Sequence, residues 1–249
     1  MTSRCRVVLI QMGRAPEDIS HVFGDQGEWF KCALAPEHIE FNVVCPADGE
    51  RLPKSEDFDI AILSGSWSMV TDREGWSEIT RKWILEVLPS GKYMLGVCYG
   101  HQLMADALGG HVDYHPLGRE IGLKTVTLTA AASQDPLLEN LPRQFEANLS
   151  HEQTVVTPPP GAVVLASSAH DPHQILRYGP TAFSVQFHPE FTPSLMRACI
   201  MRRAYALQQS GVDVNEVVGQ LKPAQYAHQL MVSFVRHVVD ELKISNSAV

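Results

Sequence analysis

Short apolar runs and amphipathic stretches alternate along the first 110 residues. Residues 5–11 (Cys-Arg-Val-Val-Leu-Ile-Gln) read as a buried strand, followed by a loop over 12–24 and a helix from Asp25 to Leu34 whose Trp29 and Phe30 face the core. Ile39 to Cys45 is a second strand closed by Pro46, and Phe58 to Leu63 is a third after the polar loop 46–57. Ser64-Gly65-Ser66 ends that strand, and a loop runs to about Gly75. Trp76 to Leu88 carries Trp76, Ile79, Trp83 and Val87 at helical spacing. Tyr93 to Val97 is a fourth strand, and the helix behind it, with Leu103, Met104, Ala107 and Leu108 on one face, stops at Gly109-Gly110. Strand–helix alternation at this spacing predicts a parallel sheet covered on both faces.

Beyond Gly110 the texture changes. Ile121 to Thr129 alternates, and further short strands are predicted at Gln144 to Leu149, Ala162 to Ser167, Gln174 to Tyr178 and Ala182 to Phe187, with turns such as Pro158-Pro159-Pro160-Gly161 between them. This half is expected to add mixed or antiparallel strands to the sheet. Pro193 to Leu207 and Pro223 to Leu242 read as helices, the second with Tyr226, Leu230, Phe234 and Val238 spaced by four. That stripe is most simply a face packed on the body, with a dimer surface as the alternative. The fold class is thus α/β, a mostly parallel central sheet flanked by helices, with added antiparallel strands. Residues 1–208 form the main domain and 209–249 a helical C-terminal extension packed on it.

Composition narrows the function classes. The chain has 249 residues, 45% hydrophobic and 19% charged, enough for a full core. A formal net charge of −8 argues against a nucleic-acid or membrane-surface partner. No apolar run approaches a membrane span, and the start enters a strand without a signal-peptide pattern. Five scattered cysteines without a C-x-x-C pair suggest neither a disulfide framework nor a zinc site. The expected setting is the cytoplasm. His111 with His115, and His170 with His173, lack a third ligand, so no metal is expected.

The chemistry centres on Cys98, at the corner where the fourth strand turns into its helix, with Gly96 and Gly100 two residues to either side. Glycines relieve the crowding of such a corner, a nucleophile elbow that lifts a side chain at the sheet edge. The helix N-terminus behind the sulfur favours the thiolate. The alternative for a free cysteine is a buried small hydrophobe. His188-Pro189-Glu190 follows the last strand. Proline biases His188 toward an extended backbone, where residues i and i+2 point the same way, so Glu190 can hold Nδ1–H and leave Nε2 free to serve Cys98. The backbone N–H of Tyr99 supplies one oxyanion donor, and the Ser64-Gly65-Ser66 turn is the candidate for the second.

Gly96-Val97-Cys98-Tyr99-Gly100-His101-Gln102, together with Phe187-His188-Pro189-Glu190, closely resembles the triad-type class I glutamine amidotransferases. Leu63-Ser64-Gly65-Ser66, Glu120-Ile121-Gly122 and Ser150-His151 extend the resemblance over about residues 5 to 205, nearest to the amidotransferase half of GMP synthases. The resemblance implies a flavodoxin-like fold and a γ-glutamyl thioester at Cys98, with His188 as acid and base and Glu190 orienting it. It also implies an oxyanion hole from the Gly65–Ser66 turn and Tyr99, and substrate contacts from Gln102 and the loop Ser150, His151, Glu152 and Gln153. Two departures stand out: Ser66 where Gly is usual, and Gln153 where Asp is frequent. The implied substrate is glutamine or another γ-glutamyl amide, without a cofactor. The 59 residues after Glu190 are too few for a synthase domain, and no G-x-x-x-x-G-K-[ST] loop is present. The implied ammonia acceptor is therefore a separate synthase subunit, or the reaction is plain hydrolysis. The alternatives are a γ-glutamyl peptidase, which changes only the leaving group, and a regulatory subunit without turnover.

Overall fold

The computed structural model describes residues 4–247. Residues 1–3, at the start of the expected main domain, and residues 248–249, at the end of the expected C-terminal extension, lie outside the described residues.

Alternation explains the sheet. In β1 (Cys5–Ile10), Val7 and Leu9 face one side and Val8 and Ile10 the other, and all four are buried, as expected for a strand covered on both faces. The partners are β2 (Ile39–Val44), β3 (Ile60–Leu63), β4 (Tyr93–Val97), β6 (Glu120–Leu128), β7 (Gln144–His151), β9 (Val163–Ser167), β10 (Ile175–Arg177) and β11 (Ala182–Val185). Their spatial order is β2-β1-β3-β4-β11-β10-β9-β6-β7. The strands from β2 to β11 pair in parallel, and the remaining four are antiparallel additions. A separate antiparallel pair joins β5 (His111–Tyr114) to β8 (Gln153–Thr157).

One face of the sheet packs on α2 (Gln26–Ala33) and α8 (Gln225–Ser247), through Phe30, Leu230, Phe234 and Val238. The other packs on α3 (Gly75–Val87) and α4 (Tyr99–Ala107), through Trp83, Ile84, Leu103 and Met104. The expected α8 stripe does lie on the body, although its first member, Tyr226, is exposed. A third cluster holds α1 (Glu17–Phe23), α5 (Pro193–Arg202), α6 (Ala204–Gln209) and α7 (Val214–Gly219) together around Ile19, Phe191, Ile200, Leu207 and Val214.

Several local expectations are corrected. Residues 12–24 hold α1 rather than only loop; Ile19 is its one buried residue, so it carries no apolar period. Its Pro16 entry, Glu17-Asp18 first turn and Gly24 exit at φ 73° were the readable signals. The expected helix from Pro193 to Leu207 breaks at Arg203 (φ −101°, ψ 7°), which no Gly or Pro announces. The strands β5 and β8 and the helix α7 were not foreseen; β5 buries only Val112. No helix among the described residues is long and apolar enough to cross a membrane.

Candidate active site

The β4–α4 corner is cramped. Cys98 sits at φ 51° and ψ −100°, one of two non-glycine residues with positive φ among the described residues. Such a conformation costs about 1–3 kcal/mol and persists only where surroundings enforce it. Here the Cys98 N–H donates to Val185 O (2.9 Å), the Gln102 N–H to Cys98 O (3.1 Å) and the Gly100 N–H to Ser64 O (3.1 Å). The flanking glycines permit the close approach. A Cβ on Gly100 would lie 2.4 Å from Leu63 O, and one on Gly96 would lie 2.7 Å from Gly100 backbone atoms and Met104 Sδ.

His188 arrives from the neighbouring strand. β11 pairs in parallel with β4, Val185 opposite Val97, so the chain just past each strand reaches the same edge. The His188 N–H donates to Asn148 O (2.8 Å), its Nδ1 lies 2.8 Å from Glu190 Oε1, and its ring stacks on Phe191 at 4.0 Å. Glu190 is buried, and its Oε2 has no hydrogen-bond partner. Burial opposes protonation of His188, but Glu190 and the Cys98 sulfur outweigh it and raise its pKa. Burial likewise opposes a charge on Cys98, and the His188 charge outweighs it, lowering the thiol pKa. The arrangement favours a thiolate beside an imidazolium.

Gly65 closes the gap between them. A Cβ there would lie 2.8 Å from His188 Cε1 and 3.6 Å from Cys98 Cβ. Ser64 Oγ accepts from the Met12 N–H and donates to Gly65 O, both at 2.9 Å. In a trans peptide the N–H points away from the preceding carbonyl, so this anchor fixes the direction of the Ser66 N–H. Ser66 Oγ accepts from the Ser68 N–H (3.0 Å).

The remaining predicted site residues are held by the protein itself. Gln102 Nε2 donates to Gln153 O (2.6 Å) and Gln186 Oε1 (3.0 Å). Gln153 Oε1 accepts from the Val70 N–H (3.0 Å), and its Nε2 reaches Thr71 Oγ1, tying β8 to the loop after Trp67. Glu152 pairs with Arg119. His151 is buried, with Nε2 2.9 Å from Glu120 Oε2 and Nδ1 2.8 Å from Gln153 O. Both ring nitrogens face acceptors when Glu120 is ionised, which favours the doubly protonated ring. Burial works against that charge, while Glu120 and Asp171 outweigh it and raise the pKa. Ser150 lines a shallow pocket with Gly65, Ser66, His188 and Glu190. Its enclosed volume is about 20 Å³, room for about one water. Gln26, Trp29, Trp67, Phe191, Cys199 and Arg203 complete the wall. Sequence reasoning missed these as site residues because no local pattern marks them. Elsewhere, the His115 and His170 rings stack at 4.0 Å and His173 Nδ1 donates to Val155 O.

Residues 30–206 match the family profile of glutamine amidotransferase class-I. The glutamine amidotransferase-like protein YfeJ of Salmonella typhimurium is 30% identical over 210 residues, covering 80% of this chain and 84% of that one. A GMP synthase [glutamine-hydrolyzing] of Aeropyrum pernix is 37% identical over 142 residues, covering 57% of this chain and only 25% of the relative. A glutamine amidotransferase structure from Thermotoga maritima superposes with a TM-score of 0.78 at 21% identity, covering 95% of this chain and 99% of its own, a likeness of fold. The chain belongs to the class I glutamine amidotransferase family.

Proposed function

We propose that the protein hydrolyses a γ-glutamyl amide, glutamine or a γ-glutamyl conjugate, through a thioester on Cys98. The observation that carries this reading is the enforced positive φ of Cys98 beside the buried His188–Glu190 pair. The thiolate of Cys98 adds to the γ-carbonyl carbon, and the charge that develops on its oxygen is met by the N–H groups of Ser66 and Tyr99. The bond between that carbonyl carbon (Cδ) and the amide nitrogen then breaks as the His188 imidazolium gives its proton to the departing amine. Neutral His188 next takes a proton from water as the water oxygen adds to the thioester carbon. Collapse expels the Cys98 thiolate and leaves glutamate. Glu190 keeps His188 in one tautomer and stabilises its charged form. Ammonia, where it is the product, passes to a separate synthase subunit or to solvent.

The test is release of glutamate from glutamine and from γ-glutamylglycine, with hydroxylamine added to trap the acyl enzyme as γ-glutamyl hydroxamate. Turnover and hydroxamate in the wild type, both lost in Cys98→Ala, support the reading. Turnover surviving in Cys98→Ala, or none with either substrate in the wild type, overturns it.

A further inference from the structure

Half-buried arginines lose solvent without losing charge, so a folded protein ordinarily supplies each with a carboxylate. Five arginines of this chain fall in that class: Arg6, Arg81, Arg119, Arg177 and Arg203. Arg6 pairs with Asp59, Arg81 with Glu78, Arg119 with Glu152 and Arg177 with Asp135. Arg203 has no carboxylate among the described residues within ion-pair distance, although its neighbour in sequence, Arg202, pairs with Asp18. It stands in the wall of the small pocket that Gly65, His188 and Glu190 also line, at the break between α5 and α6, with its guanidinium carbon 6.0 Å from the centre of the Trp67 ring.

We propose that Arg203, with Trp67, forms a subsite for a carboxylate of the substrate beside the His188–Glu190 pair. The inference deepens the proposed hydrolysis of γ-glutamyl compounds and rests on that reading for the identity of its ligand. Three further observations support it. The Trp67 Nε1–H is buried without a hydrogen-bond partner, so a second donor in this wall is unused. Burial and the nearby Arg119 both disfavour charge on Arg203, a cost that an incoming anion offsets and that stacking on Trp67 alone offsets only weakly. The planar guanidinium also presents parallel donors matched to a carboxylate.

A γ-glutamyl peptide has two carboxylates that this subsite can take: the α-carboxylate of the glutamyl half and the carboxylate of the leaving half. Both have the same chemistry, so substrates that lack one or the other distinguish them. Kinetics are measured for the wild type and Arg203→Gln on glutamine, 4-aminobutanamide (no α-carboxylate), γ-glutamylglycine and its C-terminal amide. Binding of glutamine and γ-glutamylglycine is measured by calorimetry on Cys98→Ala, with and without Arg203→Gln, which needs no turnover. Loss of a charge-assisted hydrogen bond is expected to raise KM and the dissociation constant about ten- to hundredfold for substrates carrying the bound carboxylate. The change in kcat stays within about threefold, and the substrate without that group does not respond to the variant. Sensitivity on glutamine assigns the α-carboxylate; sensitivity only on free γ-glutamylglycine assigns the leaving half. Equal KM values in both proteins, or an equal rise with and without the carboxylate, overturns the subsite while leaving the hydrolytic reading intact. Absent turnover with binding that still depends on Arg203 removes the hydrolytic reading and keeps the subsite. Absent binding overturns the subsite.

Discussion

Gly65→Ala tests the catalytic geometry at its tightest point. The backbone of Gly65 is outside the positive-φ region, so alanine meets no conformational penalty there, only its new neighbours. The added Cβ would sit 2.8 Å from His188 Cε1, while carbon pairs are at ease at about 3.5–4.0 Å. A separation of about 0.7–1.2 Å must therefore be found. Cys98 Cβ, at 3.6 Å, already makes an ordinary contact and need not move. His188 has little slack, held by Glu190 at 2.8 Å, by Phe191 at 4.0 Å and through its N–H by Asn148. Either the ring leaves its place between Glu190 and Cys98 or the Ser64–Ser66 turn moves and takes the proposed oxyanion donor, the Ser66 N–H, with it. A misplacement of about 1 Å costs about 10²-fold in rate. Overpacking costs about 1–3 kcal/mol of stability, a fall of about 2–12 °C in Tm for a domain of this size. The assay is steady-state glutamate release, well below the lower Tm. Gly179→Ala is the control, since nothing lies within 4 Å of a Cβ there and its φ is ordinary. A Gly65→Ala protein within about threefold of wild-type kcat would refute the geometry.

Two further outcomes follow from charge. The rate of Cys98 alkylation by iodoacetamide is expected to rise with pH through a midpoint below the usual thiol range, because His188 holds the thiolate; His188→Asn is expected to move that midpoint up, and an unmoved midpoint would show that His188 does not set it. Glu120→Gln probes the buried pair with His151 by thermal unfolding. The raised His151 pKa gives stability that is present below about 6.5 and lost as pH rises through the folded value, whereas the lowered Glu120 pKa gives stability present above about 4.3 and lost as pH falls through its folded value. Breaking this pair is expected to cost about 3 kcal/mol at pH 6 and less at pH 9, and an equal loss of Tm at both would exclude a protonated His151.

Local signals and long-range placement divide what the sequence made legible. The period of two in β1 and the elbow around Cys98 are patterns over fewer than ten residues, and the folded chain keeps them. The helix α1 was missed because an apolar period cannot register a single buried Ile19, although the cap residues were there to read. The break at Arg203 has no sequence mark at all. It joins two helices whose Ile200 and Leu207 both reach the cluster around Phe191, so packing rather than propensity places it.

The same division runs through the site. Cys98 and His188 are about ninety residues apart, yet each was readable from its own short motif. Parallel strands bring their C-terminal ends to one edge of the sheet, where each following loop can deliver a group. β3 leads to Ser64–Ser66 there, β4 to Cys98 and β11 to His188, while the Met12 N–H just past β1 anchors Ser64. Gln153 and Arg203 obey no such rule. Gln153 was expected at the substrate, but its side chain bonds the Val70–Thr71 backbone and hydroxyl across more than eighty residues, a partner that only tertiary folding selects. Arg203 enters through the packing of α5 and α6 beside the edge. The motif residues that strand ends deliver were therefore visible to sequence reasoning, whereas Trp67 and Phe191 on the same loops and Arg203 on the packed helices carry no local mark. Through the proposed Arg203 subsite, the latter group sets which substrate the former acts upon.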